Sequence, residues 1–322
     1  MSGMIDPSNG GGSEFRYHCY GFDVISEMAL PELAACHGSR VAGAVLDIRR
    51  DLLCLPPEIR ALPVWSEFTE EGSFFWWGTV GGFHVDAQGH SIRIEVADGV
   101  SDDMAAFPLL GPVLSEVLRR RGFFVLHASA VEIDGVAVAF LADKGVGKST
   151  TGAALLDQGA RIVADDLVAI DPVTAVTQPG FAQLKLSPHN LPPRATRDDW
   201  VVRPQPHPAI DKARVMVSDT LLSAAVPVRR LYVLERGPIT IPRIEPVDVD
   251  RALPELLKFA YAARFGEKLL KGPAAARHFR SAVSLTTATS LRRLVVPDGM
   301  EHLQDLLNVL RGDLFDDLGG CE

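Results

Sequence analysis

Residues 135–170 read GVAVAFLADKGVGKSTTGAALLDQGARIVADDLVAI, and the reading of this stretch decides the fold. An apolar run ends in the glycine-rich segment ADKGVGKS (142–149), which fits the phosphate-loop pattern with Ala142 in place of the first glycine. Gly145 and Gly147 free the backbone to turn successive N–H groups inward as a nest for phosphate oxygens. The helix expected from Lys148 adds unpaired N–H groups and the positive end of its dipole. In this pattern Lys148 reaches the β- and γ-phosphates and the Ser149 hydroxyl ligates Mg²⁺. The expected nucleotide contacts run through Asp143, Lys144, Gly145, Val146, Gly147, Lys148, Ser149 and Thr150. A strand before the loop and a helix after it, closed by Gly159, are the context such a loop requires.

The strand RIVA (161–164) leads into Asp165 and Asp166. Successive strand residues point to opposite faces, so adjacent carboxylates serve one site only where the backbone turns between them. With such a turn, one acid lies by the metal and the other by an incoming hydroxyl whose proton it accepts. His127 lies in LHASAV (126–131), and Asp134-Gly135 further on readily takes the positive φ angles of a tight hairpin. The hairpin pairs the histidine-bearing strand with the one that feeds the loop. It thereby brings the imidazole near the Asp-Asp turn, where it can set the proton affinity of a base.

The rest of the chain bounds these readings. With 322 residues, 47% of them apolar, it is long enough for two domains and a normal core. A formal net charge of −9 argues against a nucleic-acid surface. No apolar run is long enough to suggest a membrane span. Cys19, Cys36, Cys54 and Cys321 lack C-x-x-C spacing and read as scattered thiols. Residues 1–14 are expected to be a disordered leader or tag without secretory character, and the protein is expected in the cytoplasm. Residues 15–105 alternate short apolar stretches with turn residues, as in a small, mainly β domain. Within it, SFFWWG (73–78) is expected either to pack as a core hairpin or to offer a docking surface. A helix over 107–122, with Leu110, Val113, Leu114, Val117 and Leu118 on one face, bridges to an α/β phosphate-loop domain spanning 106–312. That domain is expected to hold a buried strand at 229–236, helices at 252–265 and 300–311, and a proline-rich loop over 188–210. Residues 313–322 read as a C-terminal tail.

The ordered set of His127, a strand hairpin, ADKGVGKST and LLDQGARIVADD resembles the C-terminal kinase domain of the HPr kinase/phosphorylase family. That fold is similar to the phosphoenolpyruvate carboxykinase nucleotide-binding core. The resemblance implies ATP- and Mg²⁺-dependent transfer of a phosphoryl group to a serine hydroxyl, with no phosphoenzyme. By position, Lys148 and Ser149 take the nucleotide and metal roles, Asp165 is the general base with His127 near it, and Asp166 is the acid close to the metal. Two departures bear on the substrate. Ala128 follows the histidine where the family has glycine, and PGFAQLKLSP (179–188) stands in place of a downstream acidic residue and R-G-x-G segment. Neither HPr as substrate nor the reverse, phosphorolytic reaction is therefore implied. Lys185, Lys212 and Arg214 are candidates for neutralising charge on the transferred group.

With Y-x-x-Y-G-F-x-V-x-S-E-M-x-L-P-E-L (17–33) at the start, the whole layout resembles HPr-kinase-like proteins of lasso-peptide biosynthesis clusters. Members of that branch phosphorylate the precursor peptide at its C-terminal serine, and HPr kinases assemble as homo-oligomers. Two other readings stand beside this one: a regulator that binds nucleotide without transferring phosphate, and an HPr-type or small-molecule kinase.

Overall fold

The structure, a computed structural model, describes residues 14–35, 44–187, 200–203, 205, 212–298 and 305–315. Short strands open the chain: β1 (Phe15–Cys19), β2 (Phe22–Ser26), β3 (Ala34–Ala35) and β4 (Ala44–Arg50). A single helical turn, α1 (Pro57–Arg60), leads to β5 (Val64–Phe68), β6 (Gly72–Trp77), β7 (Gly81–Asp86) and β8 (Ser91–Val96). All eight strands form one sheet in the order β3-β1-β2-β4-β8-β7-β6-β5. The aromatic run occupies β6, with β5 and β7 on either side. Phe75 and Trp76 are buried, and Phe74 stacks on His84 with centroids 4.3 Å apart. That run is a packed strand.

The helix expected over 107–122 is two helices, α2 (Asp102–Pro108) and α3 (Leu114–Arg120). Ser101 caps the first by accepting from the Met104 N–H. Between them Gly111 leaves helical space at φ −118° and ψ −106°, and Pro112 has no N–H to continue the ladder. Leu110, Val113, Leu114, Val117 and Leu118 are nevertheless all buried. The periodicity located the apolar face and missed the break.

A second sheet follows from β9 (Phe124–Leu126), β10 (Ala128–Ile133) and β11 (Val136–Leu141), then α4 (Lys148–Asp157), β12 (Arg161–Asp165), β13 (Val168–Ile170) and β14 (Val176–Thr177). Three strands, β15 (Gln183–Leu186), β16 (Val201–Arg203) and β17 (Ala213–Met216), make a small separate sheet. The chain ends through β18 (Val226–Gly237), β19 (Arg243–Pro246), α5 (Val249–Lys258), a 3₁₀ stretch at Tyr261–Lys268, α6 (Gly272–Ala288), β20 (Ser290–Pro297) and α7 (Leu306–Phe315). Of the loop expected over 188–210, residues 188–199, 204 and 206–210 lie outside the described residues and Val201–Arg203 is strand β16; of the helix expected over 300–311, residues 300–304 lie outside them. Helix α6 and strand β20 carried no signal that the sequence reading used. Helix α7 runs past residue 312, and α2 starts before residue 105. Among the described residues no helix is long and apolar enough to cross a membrane.

Strand β11 explains how the layers stack. It lies between β10, antiparallel, and β18, parallel, and its side chains alternate between two cores. Ala137, Ala139 and Leu141 face a core that includes Tyr17, Phe22 and Phe83 of the first sheet and Val117 of α3. Val138, Phe140 and Ala142 face Ala153, Leu155 and Leu156 of α4 and Leu310 of α7. One hydrophobic core therefore runs across residue 105, from the first sheet into the second.

The turn Asp134-Gly135 takes φ 49° and 90° and joins Ile133 to Val136, the two-residue hairpin its sequence favours. Tyr20 and Gly21 repeat the device between β1 and β2, at φ 49° and 76°. The tip of that hairpin reaches the second sheet. The buried Tyr20 hydroxyl donates to the Leu167 carbonyl at 2.7 Å, and the Tyr20 N–H donates to the Pro179 carbonyl at 2.7 Å. Tyr20→Phe removes the first bond and leaves a buried carbonyl without a donor, a loss of about 1–3 kcal/mol. Denaturant melts should show a lower midpoint at an unchanged slope.

Candidate functional site

Strand β11 delivers the chain to the phosphate loop, and α4 carries it away. Gly147 at the helix N-cap has φ 116°, in the left-handed region. A Cβ built there would lie 2.6 Å from Nη2 of Arg236. Only glycine suits both the conformation and the space. Arg236, near the end of β18, clamps the loop from behind: its Nε donates to the Val146 carbonyl at 3.0 Å and Nη1 to the Pro297 carbonyl at 2.6 Å.

The loop opens on a cleft of about 120 Å³ whose lining includes Gly145, Gly147, Lys148, Ser149 and Thr150. Asp143 and Lys144 stand at its exposed edge, and Asp143 is paired with Lys258 at 3.0 Å. Val146 instead packs against the core on the α4 side. Nζ of Lys148 donates to the Ala142 carbonyl at 2.6 Å. Burial lowers the Lys148 ammonium's proton affinity, Asp165 opposes that shift, and the positive charge of Lys212 adds to it.

Both aspartates line the same cleft, and the backbone shows how. Asp165 ends β12 opposite Ser129 of β10, and Asp166 takes φ 74°. Aspartate tolerates this left-handed conformation better than most residues, and the kink reverses the usual strand alternation. The two carboxylates then acquire different partners. Oδ1 of Asp165 accepts from the Ser149 hydroxyl at 3.0 Å, and its Oδ2 accepts from the Lys185 N–H at 2.9 Å. Oδ2 of Asp166 lies 2.6 Å from Nζ of Lys185, and its Oδ1 lies 2.9 Å from Nδ1 of His127. The Asp166 carbonyl oxygen is 3.3 Å from the same ring nitrogen. Both groups facing Nδ1 are acceptors, so Nδ1 carries the proton.

The surroundings separate the two acids electrostatically. Burial pushes the Asp165 carboxyl above the usual carboxylate range against the Lys185 N–H bond, and the Asp166 charge adds to the rise. Burial acts on Asp166 in the same direction, but the Lys185 ammonium and His127 overcome it and hold that carboxyl well below the usual range.

This placement departs from the sequence reading at two points. The histidine was expected beside Asp165 and is bonded to Asp166, while the phosphate-loop serine is bonded to Asp165. Arg214, expected near the transferred group, does not line the cleft. Buried in β17, it is locked to Glu32 at 2.7 Å and Asp103 at 3.1 Å, tying the small sheet to the N-terminal strands and α2. Lys185 and Lys212 do line the cleft. Two residues of the surroundings were missed, Tyr261 and Arg236. The Tyr261 ring meets His127 edge-on with centroids 6.1 Å apart; no motif marked Tyr261, and Arg236 closes the strand expected over 229–236 with no role read for it.

The donor set fits a magnesium ion. Ser149 Oγ and the Asp165 carboxylate are hard oxygens 3.0 Å apart at the start of α4. Magnesium takes one or two such protein oxygens and completes its octahedron with water and phosphate oxygens.

No family model matches the chain. The HPr kinase/phosphorylases of two Treponema pallidum strains are each 41% identical to it over 66 residues, 20% of this chain and 21% of theirs. The chain thus matches about a fifth of the length of these curated relatives. The solved HPr(Ser) kinase/phosphatase from Coxiella burnetii aligns at a TM-score of 0.31 and 13% identity, covering 61% of this chain and 99% of that one. Over part of its length the chain is therefore similar to HPr kinase/phosphorylases, and its fold is a mixed α/β one built on several sheets.

Proposed function

We propose that the protein is an ATP- and Mg²⁺-dependent kinase that phosphorylates a serine hydroxyl of a peptide or protein. The observation that carries this reading is the kinked Asp165-Asp166 pair, which faces the phosphate-loop cleft with its two carboxylates on different partners. Lys148 and the loop N–H groups bind the nucleotide phosphates, and Ser149 and Asp165 hold Mg²⁺. When bound, the ion neutralises charge that builds between the β- and γ-phosphoryl oxygens. Asp166 is the general base, with its carboxylate oriented by the His127 Nδ1–H. This exchanges the roles that the family resemblance implies for the two acids.

In the transfer, the acceptor hydroxyl gives its proton to Asp166 as its oxygen bonds to the γ-phosphorus, and the bond from that phosphorus to the β-γ bridging oxygen breaks. ADP leaves. Lys185 now sits on Asp166 and holds its proton affinity down; in this reading it turns to the transferred group as Asp166 takes the proton, and Lys212 takes up charge beside it. Little covalent chemistry is asked of the protein, and positioning does most of the work.

The acceptor we favour is the C-terminal serine of a lasso-peptide precursor, on the strength of the layout resemblance over 17–33 and 127–236. The homo-oligomeric habit of HPr kinases and a cytoplasmic location belong to the same reading, as does a two-part chain divided near residue 105. Purified protein with Mg-ATP and a peptide ending in serine should yield a peptide heavier by one phosphate, while the same peptide ending in alanine stays unmodified. ATP hydrolysis without peptide serves as an acceptor-independent readout. Bound nucleotide with neither transfer nor hydrolysis would leave a nucleotide-binding regulator.

A further inference from the structure

A groove of about 640 Å³, distinct from the phosphate-loop cleft, lies between the β5–β6 turn, the end of α3 and the first half of α6. This lies within the range of roughly 300–1,000 Å³ typical of ligand pockets. Its floor is aromatic, with Phe123 and Phe124 and the ring of His278 stacked on Phe124 at 4.9 Å. Nε2 of His278 is buried and has no hydrogen-bond partner among the described residues.

The rim is cationic in a chain whose net charge is −9. Lys271, Arg277 and Arg280 are exposed, and among the described residues no carboxylate pairs with them. Arg119 and Arg120 add two more guanidiniums, both held by the buried Glu116. Glu70 is the one acidic residue in the lining. Exposed like charges left unpaired repel one another, and an anionic partner relieves that repulsion.

A side-chain contact, not an opening, links the surroundings of the groove to the phosphate-loop cleft. A small space lined in part by Glu116, Tyr261 and Phe265 adjoins the groove and shares Arg119, Phe123, Leu269 and His278 with it. On its other side Tyr261 touches His127. The exposed Arg264 stacks over the Tyr261 ring at 4.9 Å, and its charge is felt at Lys148. Segment 261–271 carries Arg264, Lys268 and Lys271, with Glu267 among them, from the Tyr261–His127 contact to the groove.

Resting on the kinase reading above, we propose that this groove docks an acidic stretch of the polypeptide substrate, holding it while a serine elsewhere in the same chain enters the cleft. The carboxylates meet Lys271, Arg277 and Arg280, and apolar side chains of the stretch lie on the phenylalanine floor.

The test is fluorescence anisotropy with a fluorescein-labelled oligoglutamate peptide and the full chain, so the result does not depend on phosphoryl transfer. Wild type and Lys148→Ala should bind the probe alike, with an affinity that falls as salt rises. The double variant Arg277→Glu/Arg280→Glu should bind it roughly tenfold or more weakly, because two attractions become repulsions. The same variant should bind nucleotide as wild type does, which shows that it is folded, and Arg277→Lys/Arg280→Lys should retain the probe. Equal binding by wild type and the charge-reversed variant, or no binding by wild type, overturns the proposal. So does displacement of the probe by inorganic pyrophosphate at concentrations where added unlabelled oligoglutamate has no effect, which would assign the groove to a small polyanion. If the groove binds the probe and no peptide is ever phosphorylated, the kinase reading fails while the docking surface stands.

Discussion

Asp166→Asn is expected to lower phosphoryl transfer by about 10²–10⁴-fold, the usual contribution of a positioned general base, while leaving nucleotide affinity within a few-fold of wild type. Asparagine suits the test. It tolerates the φ of 74° at this turn, so the kink stays, and its amide oxygen still accepts from one of His127 and Lys185, while the other donor meets the NH2 group and turns away. What it lacks is a carboxylate that can take a proton. Asp165→Asn should behave differently. Both oxygens of Asp165 accept hydrogen bonds, from Ser149 and from the Lys185 N–H. An amide keeps both contacts only by turning its NH2 to the Ser149 hydroxyl, which then accepts, and this leaves no anionic oxygen facing Ser149 to share a cation. Its expected signature is a weakened dependence of nucleotide affinity on Mg²⁺, with transfer restored in part at high Mg²⁺. Titrating nucleotide at several Mg²⁺ concentrations, alongside single-turnover transfer, separates the two variants. If Asp165→Asn keeps magnesium-dependent binding and loses transfer, while Asp166→Asn still transfers, the roles are those implied by the resemblance.

That distinction shows where sequence reasoning reached its limit. The phosphate loop, its strand and helix and the Asp134-Gly135 hairpin were legible because each depends on local chemistry: glycine at positive φ, N–H groups at a helix start, a two-residue turn. The requirement for a kink between Asp165 and Asp166 was also legible, since alternation forbids both side chains from facing one cleft otherwise. Which carboxylate faces Ser149 was not. It depends on a β12 register against β10 and on Lys185 arriving from β15, contacts between segments distant in the chain. Arg214 sits away from the cleft for a related reason. Its position in β17 turns it towards Glu32 and Asp103, partners that only the packing of the small sheet against α2 and the N-terminal strands brings within reach. The break at Gly111-Pro112 could have been read from proline alone, and periodicity masked it because the apolar face continues on both sides.

Lys148→Ala is expected to reduce transfer by about 10²–10³-fold or more, in line with the loss of one donor aimed at developing negative charge. It should also weaken nucleotide binding, which Asp166→Asn does not. The stability of the free protein should move little, and the reason lies in the opposing charges around the side chain. Lys148 is attracted to Asp165 and Asp166 but is largely desolvated and repelled by Lys212 and Arg264. Removing it surrenders the bond to the Ala142 carbonyl and relieves the burial of an ammonium group, changes of opposite sign. Thermal melts with and without Mg-ATP give the decisive comparison. Wild type should gain stability with nucleotide as RT ln(1 + [L]/Kd) requires, whereas Lys148→Ala should melt near the wild-type apo temperature and gain little. A variant that gains as much as wild type, or transfers phosphate at the wild-type rate, would show that the loop at 142–149 does not hold the nucleotide through this lysine. The cleft that it shares with Asp165 and Asp166 would then have to serve some other ligand.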